Sequence, residues 1–162
     1  IWLGNEGAVI PDNFEELNYN QDNVLTVSLQ RTDTTTTHIP LYDGRVNDPS
    51  VFAEAVDETL KYLQTGETSL VHCAVGVSRS PCVIATAISA KREIEIEQSV
   101  NMIKKVRPHA QPHRKLLFNS YYYLSCKSDY DIDISTHLLD MYNGLDFAER
   151  DASIDDFDIT DF

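Results

Sequence analysis

Four short segments in the first 72 residues have the hydrophobic pattern or the residue preferences of β-strands. The clearest alternates between apolar and polar positions, with Leu25, Val27 and Leu29 on one face, which is the period of a half-buried strand. A short helix is predicted at residues 11–17, where Pro11 suits the first turn. The strands are predicted at residues 1–3, 24–29, 34–40 and 70–72. This order gives the chain a β-α-β opening.

Helical periodicity dominates the rest of the chain as far as residue 124. A first helix ends before Gly66 and is indicated by the apolar stripe of Phe52, Val56, Leu60 and Leu63. A second follows Ser80, with Pro81 leading it, and is apolar almost all round, as a helix buried in the centre of a domain would be. A third ends before Pro108 and a fourth begins at Pro112. Strands followed by helices predict an α/β fold with a small mixed or parallel central sheet flanked by helices.

Acidic residues are concentrated towards the C-terminal end. The chain has 162 residues, of which 42% are hydrophobic, and this is enough for one sizeable core. Its net charge is −13, but residues 1–125 carry 15 acidic and 11 basic side chains (net −4), whereas residues 126–162 carry 11 and 2 (net −9). We therefore predict one folded domain at 1–125. An acidic C-terminal extension at 126–162, helical near 136–149 or disordered, is predicted to follow it.

Charge and cysteine content narrow the class of protein. Nucleic acid and anionic membrane surfaces repel an acidic chain, so neither is expected as a partner. No segment approaches the ~18 apolar residues that span a bilayer, and no signal-peptide pattern opens the chain, so we expect a soluble, cytoplasmic protein. The three cysteines, Cys73, Cys82 and Cys126, form neither a disulfide framework nor a zinc motif. No metal or other cofactor is expected, and at least one cysteine is expected to be a working thiol.

One segment between a predicted buried strand and the predicted buried helix has the composition of an anion site. Its sequence is His72-Cys73-Ala74-Val75-Gly76-Val77-Ser78-Arg79-Ser80. A loop that turns into a helix N-terminus presents backbone N–H groups and the positive end of the helix dipole. Gly76 lets such a loop curl tightly around a tetrahedral anion. The residues predicted to bind a phosphate group are therefore Ala74, Val75, Gly76, Val77, Ser78 and Arg79.

The side chains of this segment have separate chemical roles. The field at the helix N-terminus favours the thiolate of Cys73, which makes this residue the candidate nucleophile. Arg79 can hold two phosphate oxygens with its planar fork, which lysine cannot do. Ser80 can hydrogen-bond the sulfur and ease its departure. His72 is predicted to orient the loop rather than to carry a proton. The alternative, a small cysteine of the core, is disfavoured by Cys, Gly and Arg at this spacing.

This nine-residue segment resembles the signature of the protein tyrosine and dual-specificity phosphatases, in which His precedes the Cys and Arg-Ser or Arg-Thr follows it after five intervening residues. The resemblance extends through the order of elements to about residue 124. It implies the fold of the cysteine-dependent phosphatases, a cysteinyl-phosphate intermediate and a general acid in the segment Pro40-Leu41-Tyr42-Asp43-Gly44, where Asp43 precedes Cys73 by 30 residues. Asp48 is the nearest alternative acid. The short chain is similar to the compact, atypical dual-specificity subset.

Three functions remain open at this point. The first is a protein phosphatase acting on phosphotyrosine, with phosphoserine and phosphothreonine as further substrates. The second is a phosphoinositide or nucleotide phosphatase, which is disfavoured because the loop contains no lysine for additional phosphates. The third is a phosphate-binding module without catalysis, although such a module typically lacks the nucleophile, the arginine or the acid. Phosphorylated proteins are therefore the expected partners.

Overall fold

The structure is a computed structural model that describes residues 1–10 and 22–127. The helices predicted at 11–17 and near 136–149 lie outside the described residues, as does the acidic extension beyond Lys127. No helix in the described ranges has both the length and the apolar character needed to cross a membrane.

The described part of the chain contains four strands and four α-helices. The strands are β1 (Trp2–Gly4), β2 (Val24–Thr26), β3 (Thr37–His38) and β4 (Leu70–His72). The helices are α1 (Pro49–Thr65), α2 (Arg79–Arg92), α3 (Ile96–Val106) and α4 (Arg114–Lys127), and a short 3-10 helix follows β1 at Glu6–Val9. The predicted α/β fold with a small sheet and flanking helices is confirmed.

The described strands form one sheet in the order β1-β4-β2-β3, and each neighbouring pair is parallel. The prediction of a mixed or parallel sheet is thereby narrowed to a parallel one for this part of the chain. Strand β4 is central, because Val71 lies beside Leu3 on one side and beside Leu25 on the other. The carboxyl ends of parallel strands are where open α/β sheets place their ligands. The segment that follows His72 leaves the sheet at the carboxyl end of β4, where such a ligand site is expected.

Two strands are shorter than the sequence predicted. Strand β2 ends at Thr26, although the N–H of Val27 still donates to the carbonyl of His72 (2.9 Å). The chain then bends, because the Ser28 hydroxyl donates to the carbonyl of Gln30 (3.0 Å). Strand β3 covers only two of the seven predicted residues, and among the described strands it pairs with β2 alone.

Helix α2 lies at the centre of the helical layer and contacts α1, α3 and α4 as well as strands β1 and β4. The predicted all-round burial is confirmed by its buried residues, which include Cys82, Val83, Ile84, Ala85 and Ala87. The helix begins at Arg79, two residues before Pro81. The N–H of Cys82 donates to the carbonyl of Ser78 (3.0 Å), so the first helical bond already closes there. Pro81 is tolerated because first-turn residues need no N–H donor.

Truncation of Phe52 tests whether the cluster of buried side chains that contains it stabilises the fold. Its side chain is fully buried in the cluster between α1, the sheet and α2. We expect Phe52→Ala to lower the free energy of unfolding by ~3–5 kcal/mol, because the substitution removes apolar contacts and leaves a cavity. Val106→Ala is the control, since Val106 is 82% exposed and its loss should change stability by no more than ~0.5 kcal/mol. Urea denaturation measures both, and equal effects would contradict the assignment.

Candidate active site

Cys73 lies at the floor of a loop that starts where β4 ends. It is only 2% exposed, and its sulfur accepts hydrogen bonds from the N–H of Gly76 (3.3 Å) and from the hydroxyl of Ser80 (3.3 Å). The loop therefore folds back over the sulfur, and Ser80 in the first turn of α2 reaches it from the other side. Two donors directed at one sulfur are an arrangement that suits a thiolate.

The carbonyl groups of the loop point away from its interior. Each of four consecutive carbonyls accepts a hydrogen bond from outside the loop: Ala74 from the N–H of Glu6 (3.2 Å), Val75 from Nη2 of Arg107 (3.1 Å), Gly76 from Nε of Arg107 (2.8 Å) and Val77 from the N–H of Gln111 (2.7 Å). In a trans peptide the carbonyl and the following N–H point in opposite directions. The N–H groups of the loop therefore face inwards, together with the N-terminus of α2, and form a cradle for an anion.

Gly76 is the position where the loop turns most sharply. Its φ is +72°, in the left-handed region that favours glycine. A Cβ atom there would lie 2.7 Å from the carbonyl oxygen of Gly4 in β1. Both the backbone conformation and the close contact with β1 therefore require glycine, as the sequence predicted for a tightly curled loop.

Arg79 opens α2 and reaches the mouth of the loop. Its Nη1 donates to the carbonyl of Leu41 (3.3 Å), while its Nε is buried without a hydrogen-bond partner in the described part of the chain. A buried donor of a charged group without an acceptor is energetically unfavourable. An oxyanion is the kind of acceptor that a guanidinium donor binds most strongly.

Asp43 and Asp48, the two candidate acids, lie in different surroundings. The carboxylate of Asp43 accepts a hydrogen bond from the hydroxyl of Ser78 (2.7 Å), so it lies against the phosphate-binding loop. The Ser78 hydroxyl in turn accepts from the N–H of His113 (3.0 Å). Asp48 instead caps α1, where it accepts from the hydroxyl (2.6 Å) and the N–H (2.8 Å) of Ser50. These two bonds favour the carboxylate form and lower the pKa of Asp48.

A pair of buried asparagines holds the segment that contains Asp43. The side chain of Asn47 accepts from the N–H of Tyr42 (2.6 Å) and donates to the carbonyl of Tyr42 (3.1 Å), which closes the turn around Asp43. The backbone of Asn47 exchanges two further bonds with the side chain of Asn119 in α4 (3.0 and 2.8 Å). Sequence reasoning missed both asparagines, because a contact between residues 72 positions apart has no local pattern.

His72 lies inside the sheet rather than in the loop. It is fully buried, and its Nε2 shares a hydrogen bond with the hydroxyl of Thr26 on the neighbouring strand (2.6 Å). Burial lowers the pKa of His72, so its neutral form is favoured. This placement agrees with an orienting residue and not with a proton carrier.

The other cysteines lack the surroundings of Cys73. Cys82 is buried in α2 beside the hydroxyl of Ser120 (3.1 Å), and burial raises the pKa of its thiol to about 12. Cys126 is exposed near the end of α4, and none of the three is in a disulfide bond. Among the described residues, no three His, Cys, Asp or Glu side chains form a group that could hold a metal ion.

Comparisons with known proteins agree with this geometry. The family model of the dual specificity phosphatase catalytic domain matches residues 1–125. Dual specificity protein phosphatase 5 of Rattus norvegicus is 31% identical over 96 residues, a match that covers 56% of this chain and 25% of that protein. The chain thus spans about a quarter of the length of this curated relative.

Solved structures share the fold. The crystal structure of human DUSP28 superposes with a TM-score of 0.65 and 19% identity, covering 77% of this chain and 91% of that one. The crystal structure of DUSP15 gives a TM-score of 0.63, also with 19% identity, and covers 89% of this chain and 91% of that one. At this identity the likeness shows the fold alone.

The pH dependence of stability tests the burial of His72. Because its pKa is lower in the folded than in the unfolded chain, the unfolded chain binds more protons once the pH falls below ~6.5. The contribution of neutral His72 to the free energy of unfolding is therefore complete above that pH. It is lost as the pH falls towards the pKa of His72 in the folded chain. We expect thermal unfolding midpoints that decrease from about pH 7 to about pH 5, and a smaller decrease in His72→Asn.

His109→Asn is the matched control, because His109 is exposed and should not alter this pH dependence. A profile flattened by His109→Asn and left unchanged by His72→Asn would contradict the assignment.

Proposed function

Since the chain belongs to the dual-specificity phosphatase catalytic-domain family, we propose that it hydrolyses phosphotyrosine in proteins, with phosphoserine and phosphothreonine as further substrates, through a cysteinyl-phosphate intermediate at Cys73. One observation carries the proposal: the sulfur of Cys73 lies at the floor of a loop whose four carbonyls, at residues 74–77, all point outwards. An inward-facing set of N–H groups around a nucleophilic sulfur is an arrangement suited to phosphoryl transfer.

In the first step, the thiolate of Cys73 attacks the phosphorus of the bound monoester. The S–P bond forms while the bond from phosphorus to the leaving oxygen breaks, and Asp43 gives that oxygen a proton. Inward N–H groups hold the non-bridging oxygens, and Arg79 holds two of them through its guanidinium. The unpartnered Nε of Arg79 supports this role, since it is a ready donor.

In the second step, water attacks the phosphorus of the intermediate. Asp43, now a carboxylate, accepts a proton from this water, the P–O bond forms and the S–P bond breaks, which releases inorganic phosphate and the thiolate of Cys73. The hydroxyl of Ser80, 3.3 Å from the sulfur, stabilises the departing thiolate. Atoms and charges balance without a metal ion or other cofactor.

The assignment of the acid to Asp43 is supported by its contacts. Asp43 touches the phosphate-binding loop through Ser78, and the neighbouring carbonyl of Leu41 touches Arg79. Asp48 is engaged by Ser50 at the start of α1. The closed turn around Asn47 keeps the Asp43 segment next to the loop.

The surface of the loop favours phosphoproteins over phosphoinositides. Val75 is 63% exposed at the loop and the remaining non-glycine residues between Cys73 and Arg79 are uncharged, so the side chains of residues 74–78 supply no cation for a second phosphate. We expect phosphorylated proteins as partners and neither nucleic acid nor anionic membranes, because the chain is acidic.

We also propose that the chain has two parts and that the protein is located in the cytoplasm. Residues 1–125 form the catalytic domain, and residues 126–162 form an acidic C-terminal extension. The three cysteines are free thiols, which is the state expected in the reducing cytoplasm.

Substitution of the nucleophile is the direct test of this function. We expect Cys73→Ser to abolish turnover of phosphotyrosine peptides while phosphopeptide binding persists, because the anion contacts come from backbone N–H groups and Arg79. The same substitution at the exposed Cys126 is the control and should leave kcat unchanged. Steady-state kinetics and peptide binding by calorimetry provide the measurements. Undiminished turnover in Cys73→Ser would sink the proposal.

A substrate panel assayed with the unchanged chain and with Cys73→Ser distinguishes the protein phosphatase from the other two functions. Phosphotyrosine, phosphoserine and phosphothreonine peptides, phosphoinositides and nucleotides are compared by kcat/KM. Preference for phosphoinositides or nucleotides would replace the protein-phosphatase assignment. Binding of phosphopeptides without turnover of any substrate would indicate a phosphate-binding module.

Dependence on the leaving group tests the general acid. We expect Asp43→Asn to slow kcat by ~10²–10⁴-fold for alkyl phosphates, whose alkoxide needs a proton, and much less for aryl phosphates with acidic leaving groups. Asp48→Asn is the matched control, since asparagine also caps helices well, and its rates should stay close to those of the unchanged chain. If Asp48→Asn showed the leaving-group dependence instead, the acid would have to be assigned to Asp48.

A further inference from the structure

We propose that Arg107 is a positioning residue, which holds the phosphate-binding loop in the conformation that directs its N–H groups at the anion. The inference rests on the proposed function, because it concerns the same loop. Arg107 contacts the loop from α3 and lies outside the nine-residue segment that marks the site in the sequence.

One guanidinium holds two successive carbonyls of the loop. Nε of Arg107 donates to the carbonyl of Gly76 (2.8 Å) and Nη2 donates to that of Val75 (3.1 Å). A planar guanidinium with donors in fixed directions suits this contact, whereas the single ammonium of a lysine does not reproduce it. The next carbonyl, of Val77, accepts from the N–H of Gln111 (2.7 Å). The segment 107–111 therefore binds three consecutive carbonyls.

The backbone of Arg107 is itself held at the end of α3. Its N–H donates to the carbonyl of Ile103 (2.8 Å), and its carbonyl accepts from the N–H of Ala110 (2.9 Å). Pro108 follows and cannot continue the helix. The side chain is thus presented from a fixed turn, and a Cβ atom added to Gly76 would lie 3.0 Å from its Nη2.

These contacts select one orientation of two peptide groups. Glycine at position 76 has wide backbone freedom, so the peptide groups beside it can rotate if nothing holds them. A rotated peptide would turn a carbonyl oxygen towards the bound dianion and an N–H away from it, which replaces attraction by repulsion. By binding both carbonyls on the outside, Arg107 keeps the corresponding N–H groups on the inside. The two arginines therefore have different roles: Arg79 binds the anion, and Arg107 holds the loop in the conformation that binds it.

Titration with tungstate, a tetrahedral dianion that needs no turnover, tests this role in the full chain. We expect Arg107→Met to weaken tungstate binding at least tenfold, or ~1.4 kcal/mol, because both carbonyl contacts are lost. Arg107→Lys keeps the charge but not the fork, so at least a threefold loss is expected as well. Lys105→Met removes a like charge from the exposed side of the same helix and should leave the affinity within twofold.

A variant of the core distinguishes positioning from general stability. Ile103→Val alters a buried residue of α3 and should lower the unfolding temperature without changing tungstate affinity. Tungstate affinity within twofold of the unchanged chain in Arg107→Met or in Arg107→Lys would overturn the inference. So would an equal loss in Lys105→Met or Ile103→Val.

Failure of this inference and failure of the proposed function give different results. Full turnover by Cys73→Ser would refute the cysteinyl-phosphate mechanism, whatever tungstate binding shows. Unchanged tungstate affinity in the Arg107 variants would refute the positioning role while the mechanism stands.

Discussion

The outward orientation of the four carbonyls at residues 74–77 is the constraint on which the site depends. The N–H groups of a backbone loop can bind a dianion only if they converge on it. In trans peptides the carbonyl groups then point outwards, so each needs a hydrogen-bond donor outside the loop. Three separate parts of the molecule provide these partners: the 3-10 helix after β1, Arg107 at the end of α3, and Gln111 shortly before α4. The fold therefore contributes to phosphate binding through residues that never touch the phosphate.

The parallel sheet and the central helix supply the remaining geometry. Strand β4 lies between β1 and β2, so Cys73 leaves the sheet from its middle, where β1 can pack its Gly4 carbonyl against Gly76. Helix α2 then runs back through the core with its N-terminus at the loop. Because this helix is buried almost all round, its position is fixed by packing, and the direction of its dipole at the loop is fixed with it.

Local patterns in the sequence predicted much of this arrangement. The apolar stripe from Phe52 to Leu63 and the all-apolar run after Pro81 identified α1 and α2. The segment 72–80 placed Cys73 and Gly76 in one loop, and in the structure Arg79 follows this loop as the first residue of α2. The lengths of β2 and β3 were overestimated; at β3, β-branched residues near Thr34 favour extended backbone whether or not a partner strand continues. The contacts of Arg107 with the loop and of Asn47 with Asn119 were missed. They join distant residues of common types, so only the folded chain brings them together.

The resemblance to the phosphatase signature favoured Asp43 over Asp48 as the acid, but the sequence could not show how the contacts of the two carboxylates differ. Both carboxylates follow the Leu41-Tyr42 segment within a few residues, and both suit a loop. They differ in their hydrogen-bond partners. Asp48 caps the N-terminus of α1 by accepting from Ser50, whereas Asp43 accepts from the hydroxyl of Ser78 in the loop after β4. The contacts that support Asp43 as the proposed acid therefore become visible only in the folded chain.

In the proposed mechanism, the phosphoryl group is bound covalently to the sulfur of Cys73 before water releases it. Rapid acid quenching of the enzyme during turnover of a phosphotyrosine substrate, followed by peptide mass spectrometry, measures this bond directly. We expect one added phosphate on the peptide that contains Cys73, formed within the first turnover and absent without substrate. Phosphate on another residue, or none on any peptide while product accumulates in a burst, would contradict it.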